Sequence, residues 1–161
     1  RTNGVWALAG LRENEELDSA KIYGVESALS YLSFTGIPHP ELSEDVLGMT
    51  TGVVYTASVE DGSIYTAKVG NEAPQNSGMG GSGRYLKLSA SFTPVGTNLV
   101  ENAAVEARVS DFNEKVGRWT YIVPAFSAGR FMHTRESIVK EKPEPEVETS
   151  TDGEKAEENH E

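Results

Sequence analysis

Residue types able to do covalent or metal chemistry are few in this 161-residue chain, which has three histidines and no cysteine. The lack of cysteine removes thiolate nucleophiles, disulfides and cysteine-based metal sites together, and leaves the redox compartment open. His39 stands between Pro38 and Pro40, His133 lies near a helix start, and His160 falls in an acidic C-terminal stretch. No His-x-x-x-His pair links them, so spacing marks neither a metal site nor a general base. Ser82, in Gly80-Gly81-Ser82-Gly83-Arg84, lacks the second glycine of a nucleophile elbow. Gly78, Gly80 and Gly83 have the spacing of a dinucleotide fingerprint, but that fingerprint works only where a strand runs into a helix whose first amides receive the pyrophosphate. Here the glycines lead into a strand, and the segment reads as an inter-strand loop.

The carboxylates Glu13, Glu15, Glu16 and Asp18 would bind a cation if they converged, but they lack the spacing of an oxygen-rich calcium loop and read as a solvated approach to a helix. Arg84, Arg118 and Arg130 would form an anion or interaction patch only if the fold gathered them. The Trp119-Thr120-Tyr121 strand would stack a sugar if exposed, and core packing is the simpler role. Asp18, Asp61 and Asp111 have structural roles ready as cap, turn and helix-surface residues. No residue is nominated as catalytic, cofactor-binding or metal-ligating.

The balance of charge excludes a further class. Of 25 acidic and 14 basic residues, nine acidic and two basic fall in 141–161, leaving 16 acidic against 12 basic in 1–140. Strong acidity therefore belongs to the tail. The body offers no basic footprint for a phosphate backbone, which argues against nucleic acid as a partner. No apolar run reaches the ~18 residues needed to span a bilayer, and no signal-peptide pattern is present. The chain opens on Arg1, as a processed or excised piece would, so a membrane anchor is expected only in a missing N-terminal part.

The elements that must position these residues are organised around a hairpin at 51–70, reading TGVVYTASVEDGSIYTAKVG. Asp61-Gly62 between alternating apolar residues is a strong hairpin signal, because Gly62 accepts positive φ at no steric cost. A two-residue loop would put Lys68 beside Tyr55 on the apolar face. A three-residue loop, Glu60-Asp61-Gly62, pairs Val59 with Ser63 and predicts one buried face of Val53, Tyr55, Ala57, Val59, Tyr65, Ala67 and Val69.

Upstream, residues 4–8 read as a strand around Trp6, followed by a polar stretch at 12–16. A helix is predicted over 18–33, capped by Asp18, with Ile22, Val25, Ala28, Leu29 and Leu32 turned inward. Pro38 and Pro40 make 34–40 a connection. A helical turn at 41–47 is expected to place Leu42, Val46 and Leu47 on the core before Gly48 ends it. Downstream come a loop at 71–83 and a strand at 84–92 that turns Leu86, Leu88, Ala90 and Phe92 to one face. A second helix follows, capped by Asn98, striped by Val105, Val109, Phe112 and Val116 and ended by Gly117. Trp119, Tyr121 and Val123 alternate in a last strand halted by Pro124. A loop and a short helical turn at 125–140 are expected to bury Phe126, Phe131, Ile138 and Val139. The expected fold is a single α+β domain over 1–140. It has an antiparallel sheet of four to five strands with two main helices on one face. The tail at 141–161 has too little apolar content to offset its ordering entropy and reads as disordered.

The order of motifs resembles a known family. Val5-Trp6-Ala7-Leu8, the aspartate-capped helix, the Tyr-Thr-Ala-x-Val-x-Asp-Gly-x-x-Tyr-Thr-x-x-Val-Gly hairpin, Gly83-Arg84-Tyr85-Leu86 and Trp119-Thr120-Tyr121-Ile122-Val123-Pro124 follow one another. This is similar to an uncharacterised bacterial extracytoplasmic domain family found in membrane-anchored proteins encoded beside gliding-motility-type ABC transporters. The likeness covers about residues 4–140, and the helix from 98 to 116 departs from the shorter members. It implies a non-enzymatic accessory or interaction domain of a cell-envelope protein, on the periplasmic face of the bacterial inner membrane. The implied partner is a protein, either an ABC transporter or an envelope component. No catalytic residues and no cofactor carry over. Beside it stand a small-molecule or glycan-binding domain using the 78–83 loop or exposed aromatics, and a hydrolase requiring His39 or His133 to meet a serine and a carboxylate.

Overall fold

The computed structural model describes residues 8, 10–74 and 82–142. All but the last residue of the strand expected at 4–8, all but the ends of the glycine-rich loop, and 143–161 of the tail expected from 141 lie outside the described residues. The first two residues of that tail are instead tied to the fold: Glu141 pairs with Glu15, and the Lys142 amide donates to the Asn14 carbonyl at 2.9 Å. The fold is α+β. A four-stranded antiparallel sheet has the order β2-β3-β4-β5, where β2 is Val53–Ser58, β3 is Ser63–Ala73, β4 is Gly83–Phe92 and β5 is Thr120–Pro124. A separate antiparallel pair joins β1 (Glu15–Leu17) to β6 (Val139–Glu141). The helices are α1 (Ser19–Glu26), α2 (Leu99–Phe112), α3 (Ala125–Gly129) and α4 (Arg135–Ile138).

The hairpin takes the bulged register. Val53 pairs with Val69, Tyr55 with Ala67 and Ala57 with Tyr65, and the Val59 amide donates to the Ser63 carbonyl at 2.8 Å. Gly62 has φ of +86°, and a Cβ there would collide with the Thr93 carbonyl oxygen. Asp61 Oδ1 accepts from the Ser63 amide at 2.9 Å and its hydroxyl at 2.6 Å, closing the turn. Ala67 and Val69 are fully buried, as are Leu86 and Val123 on the same face. Removing each larger side chain from water contributes about 1.5–3 kcal/mol. Val53 and Val59 are exposed, contrary to expectation, because β2 is the edge of the sheet and the helices stop short of its ends.

The strand β3 runs three residues further than the sequence suggests. Gly70 and Asn71 stand opposite Tyr85 alone, a bulge that shifts the register before Glu72 pairs with Arg84. The turn at 40–51 folds onto this bulge. The Asn71 amide donates to the Leu47 carbonyl at 3.0 Å, and Leu47 and Met49 bury against Ala73 and Tyr85. Of the three residues expected inward here only Leu47 is buried. Leu42 and Val46 are exposed, since the chain makes tight turns and presents only its last residues to the sheet.

The first helix is shorter than its stripe. Asp18 caps it by accepting from the Ala20 and Lys21 amides, but it ends at Glu26 and gives way to turns over 27–31. Ser27 Oγ donates back to the Tyr23 carbonyl at 2.8 Å, beside the last ladder bond from its own amide to the same carbonyl at 3.1 Å, and the next amide, Ala28, shifts to the Val25 carbonyl. Ala28 is nonetheless buried, and Leu29 and Leu32 pack on the core from this turn region. The second helix starts at its Asn98 cap and presents Val105 and Val109, both buried. It continues into one π-helical turn, Asn113–Gly117, so Gly117 lies within that turn and does not form a left-handed cap.

Downstream, Tyr121, Val123 and Phe131 are buried, and Ile138 and Val139 are half-buried. Trp119 is exposed at the mouth of β5, and Phe126, expected inward, is exposed on α3, whose buried face carries Ser127 and Ala128. The β1–β6 pair was not legible, because three-residue strands rich in Glu and Lys carry no apolar alternation. All helical contributions to the main core fall on the sheet face of Ala67, Val69, Leu86 and Leu88. The reverse face carries exposed Thr56, Ser89 and Ser91.

Candidate functional site: an apolar groove between the two helical arms

The two helical arms do not close over the shared face. Between them lies a groove of about 410 Å³ lined by Leu29, Leu32, Phe34, Tyr65, Leu88, Phe112 and Val116. One wall comes from the turns after α1, the other from the end of α2 and its π-turn, and β3 and β4 supply the floor. Its volume falls within the range of ligand pockets. Among the described lining residues, only Tyr65, by its phenol, has a polar side-chain group.

Both walls are fixed. Phe34 stacks on Tyr121 at a ring separation of 4.0 Å and 22° between planes, and the Tyr121 hydroxyl donates to the Val116 carbonyl at 3.1 Å. Tyr65 and Phe112 meet edge to face at 5.4 Å. The π-turn is held by Asn113. Its Nδ2 donates to the Ala90 carbonyl and its Oδ1 accepts from the Ala90 amide, both at 2.8 Å. The paired register of β4 with β5 ends at Lys87, so this carboxamide extends the ladder where the neighbouring strand has stopped. On the α1 side the Tyr55 hydroxyl donates to the Val25 carbonyl at 3.1 Å, and its ring meets Phe131 edge to face. Burial pushes the Tyr55 and Tyr121 phenols above their ordinary range, which keeps both as neutral donors.

The chemistry-bearing residues are dispersed. His39 is exposed beside Glu41, with Nδ1 at 3.7 Å from its carboxylate. His133 Nδ1 lies 3.3 Å from Ser137 Oγ, the one histidine–serine contact among the described residues. The Ser137 hydroxyl donates to the Thr134 carbonyl at 2.8 Å. The shorter of its two contacts thus directs the Ser137 hydroxyl at a backbone carbonyl, and the imidazole tautomer sets the direction of the longer one. His160 lies outside the described residues. Ser82 is exposed and its carbonyl accepts from the Ala125 amide at 3.0 Å. Gly83 is a strand residue whose Cβ would collide with Ile122, while Gly78 and Gly80 lie outside the described residues.

The acidic approach to α1 is taken up by ion pairs. Arg135 places two nitrogens on Glu15, at 2.6 and 3.2 Å, and the Arg12 amide donates to the same carboxylate at 2.9 Å. The guanidinium, then the backbone donor, hold Glu15 down to about 2. Lys140 pairs with Glu16 at 3.0 Å across the β1–β6 ribbon, and Asp18 is committed as the cap. Among the described residues no three His, Asp or Glu side chains converge on a common point. Nor do the arginines form a patch. Arg84 bridges the Gly70 carbonyl and Glu72, holding the β3 bulge, and Arg118 lies 4.9 Å over the ring of Trp119. Asp61 pairs with Arg108 and Asp111 with Lys115, as turn and helix-surface residues do.

Six of the seven groove residues were legible as apolar faces, and Phe34 was missed within a connection. What no periodicity could reveal is that the two stripes stand apart over the sheet. No described helix is long and apolar enough to cross a membrane. The architecture is an α+β domain with an apolar groove on its helical face. No family model, curated protein or solved structure matches the chain.

Proposed function

We propose that this chain is a non-enzymatic accessory or interaction domain of a bacterial cell-envelope protein, working with an ABC-type transport system and receiving an apolar segment of its partner in the groove. The observation that carries this is the groove lining, which among the described residues offers hydrocarbon and aromatic surface, with the Tyr65 phenol as its polar side-chain group. Apolar pockets with rigid walls anchor the buried side chains that dominate protein interfaces. The resemblance of the hairpin and of the β4 and β5 motifs supports the envelope setting and the partner.

Co-purification from native membranes tests this. Recovery of a transporter or envelope component with the wild-type chain, lost with Leu32→Asp, is the expected result. Recovery with no such component, or equal recovery with both chains, contradicts it. A second reading, a small apolar molecule in the same groove, is favoured by its volume, and thermal shift with unbranched fatty acids would detect it. A glycan fits less well, because one phenol leaves most sugar hydroxyls without partners.

A further inference from the structure

The sheet has two edges, and they are treated differently. Along β5 the outer edge is occupied: the Thr35 amide donates to the Ile122 carbonyl, and the Ile122 amide donates to the Gly36 carbonyl, both at 2.8 Å. The part of β4 that runs beyond β5 is met by the carboxamide of Asn113. The β2 edge has no such cover among the described residues, and its sequence, VVYTAS, has none of the charges, prolines or bulges that blunt an exposed edge.

The ladder fixes which groups face out. Val59 bonds to Ser63, so by alternation Ala57, Tyr55 and Val53 direct their backbone groups toward β3. Val54, Thr56 and Ser58 direct theirs outward, and all three side chains are exposed.

We propose that β2 pairs with β2 of a second copy of this chain, antiparallel about a two-fold axis at Thr56, to give a continuous eight-stranded sheet. This register sets Thr56 opposite Thr56 and Val54 opposite Ser58, and uses every outward backbone group in about six hydrogen bonds. The same register brings Val53 of each copy opposite Val59 of the other, and Tyr55 opposite Ala57. Val53 and Val59 are 43% and 45% exposed, and they are the two positions on the otherwise core-facing side of β2 and the residue that follows it left open to solvent. One alignment therefore satisfies the backbone and covers both valines. Charge within the strand does not oppose this occupant. The chain carries a net charge of −11, yet no charged side chain lies within β2, so a second copy brings no like charges face to face across the seam. Because the β5 edge is already occupied, the pairing closes at two copies and does not propagate.

The test is sedimentation equilibrium on the full chain near physiological ionic strength, where repulsion between the acidic bodies is screened over ~8 Å. The expected result is a species of twice the 17.4 kDa chain mass, populated as concentration rises through the micromolar range. Thr56→Lys, an exposed substitution that sets two ammonium groups opposite at the axis, is expected to return it to the monomer with an unchanged circular dichroism spectrum. Since the chain has no cysteine, Thr56→Cys supplies an unambiguous second readout. Its two thiols fall on strand positions ~5.5 Å apart at Cα, within disulfide range, and air oxidation is expected to give a covalent dimer. Val54→Cys, displaced from the axis, is expected not to. A chain that stays monomeric throughout overturns the proposal. So does a dimer that survives Thr56→Lys, or one that Val54→Cys crosslinks as readily as Thr56→Cys.

Discussion

Replacing Asn113 with alanine should loosen the whole α2 wall of the groove, and its cost can be worked from two hydrogen bonds. The side chain exchanges a donor and an acceptor with the Ala90 backbone, each at 2.8 Å, and Ala90 is buried. Truncation leaves a backbone N–H and C=O with no partner at a point where β5 no longer reaches. Each such loss costs about 1–3 kcal/mol, so we expect about 3 kcal/mol in all, equivalent to a fall in Tm of about 10 °C for a domain of this size. Asn113→Asp is the sharper variant, because it conserves volume. It keeps the acceptor for the Ala90 amide but sets a carboxylate oxygen against the Ala90 carbonyl, and it should lose about as much stability. Urea unfolding gives the magnitude, and amide hydrogen exchange at Ala90 gives the location: protected in the wild type, fast in both variants. Phe112 and Val116 flank this anchor, so partner recovery should weaken with it. A stability loss under about 0.5 kcal/mol in both variants, with Ala90 still protected, would refute the role assigned to this carboxamide.

Three further outcomes follow from the same geometry. Glu15 has its pKa depressed to about 2 by Arg135 and the Arg12 amide, so its contribution to stability is complete above the unfolded carboxylate range near ~4.3 and is lost as pH falls toward 2. Urea midpoints of wild type and Glu15→Gln should therefore differ at pH 6 and converge between about pH 4.5 and 2, and a gap that does not change with pH would contradict this. Gly70→Ala should destabilise by about 2–4 kcal/mol, since its Cβ would overlap the Leu47 carbonyl oxygen and the turn cannot retreat without breaking the bond from Asn71, and thermal melts would show it. Tyr55→Phe should cost about 1 kcal/mol in urea unfolding by removing the side-chain hydrogen bond from β2 to α1, that to the Val25 carbonyl at 3.1 Å.

The sequence carries the hairpin register because a slip of one residue would have put Lys68 among apolar side chains, and the bulged loop avoids that. Both helix caps were equally legible, since Asp18 and Asn98 each precede an apolar stripe. The length of α1 was not, because the stripe from Ile22 to Leu32 survives as packing after the backbone has left the helix for turns at 27–31. The fate of Val53, Val59 and Phe126 depends on where the sheet and α3 end, which is set by tertiary contacts. The groove was legible only as two apolar stripes. That they flank a gap follows from the π-turn and the Phe34–Tyr121 stack, and neither has a local sequence signal.

The most direct test of the groove as the site of action is photo-crosslinking in native cells with benzophenylalanine at position 34, on the groove wall, and at position 89, exposed on the reverse face of the sheet. We predict an adduct with a transporter or envelope protein from position 34 that is missing from position 89 and is abolished by Leu32→Asp. The same adducts from both positions, or none from position 34, would contradict the account.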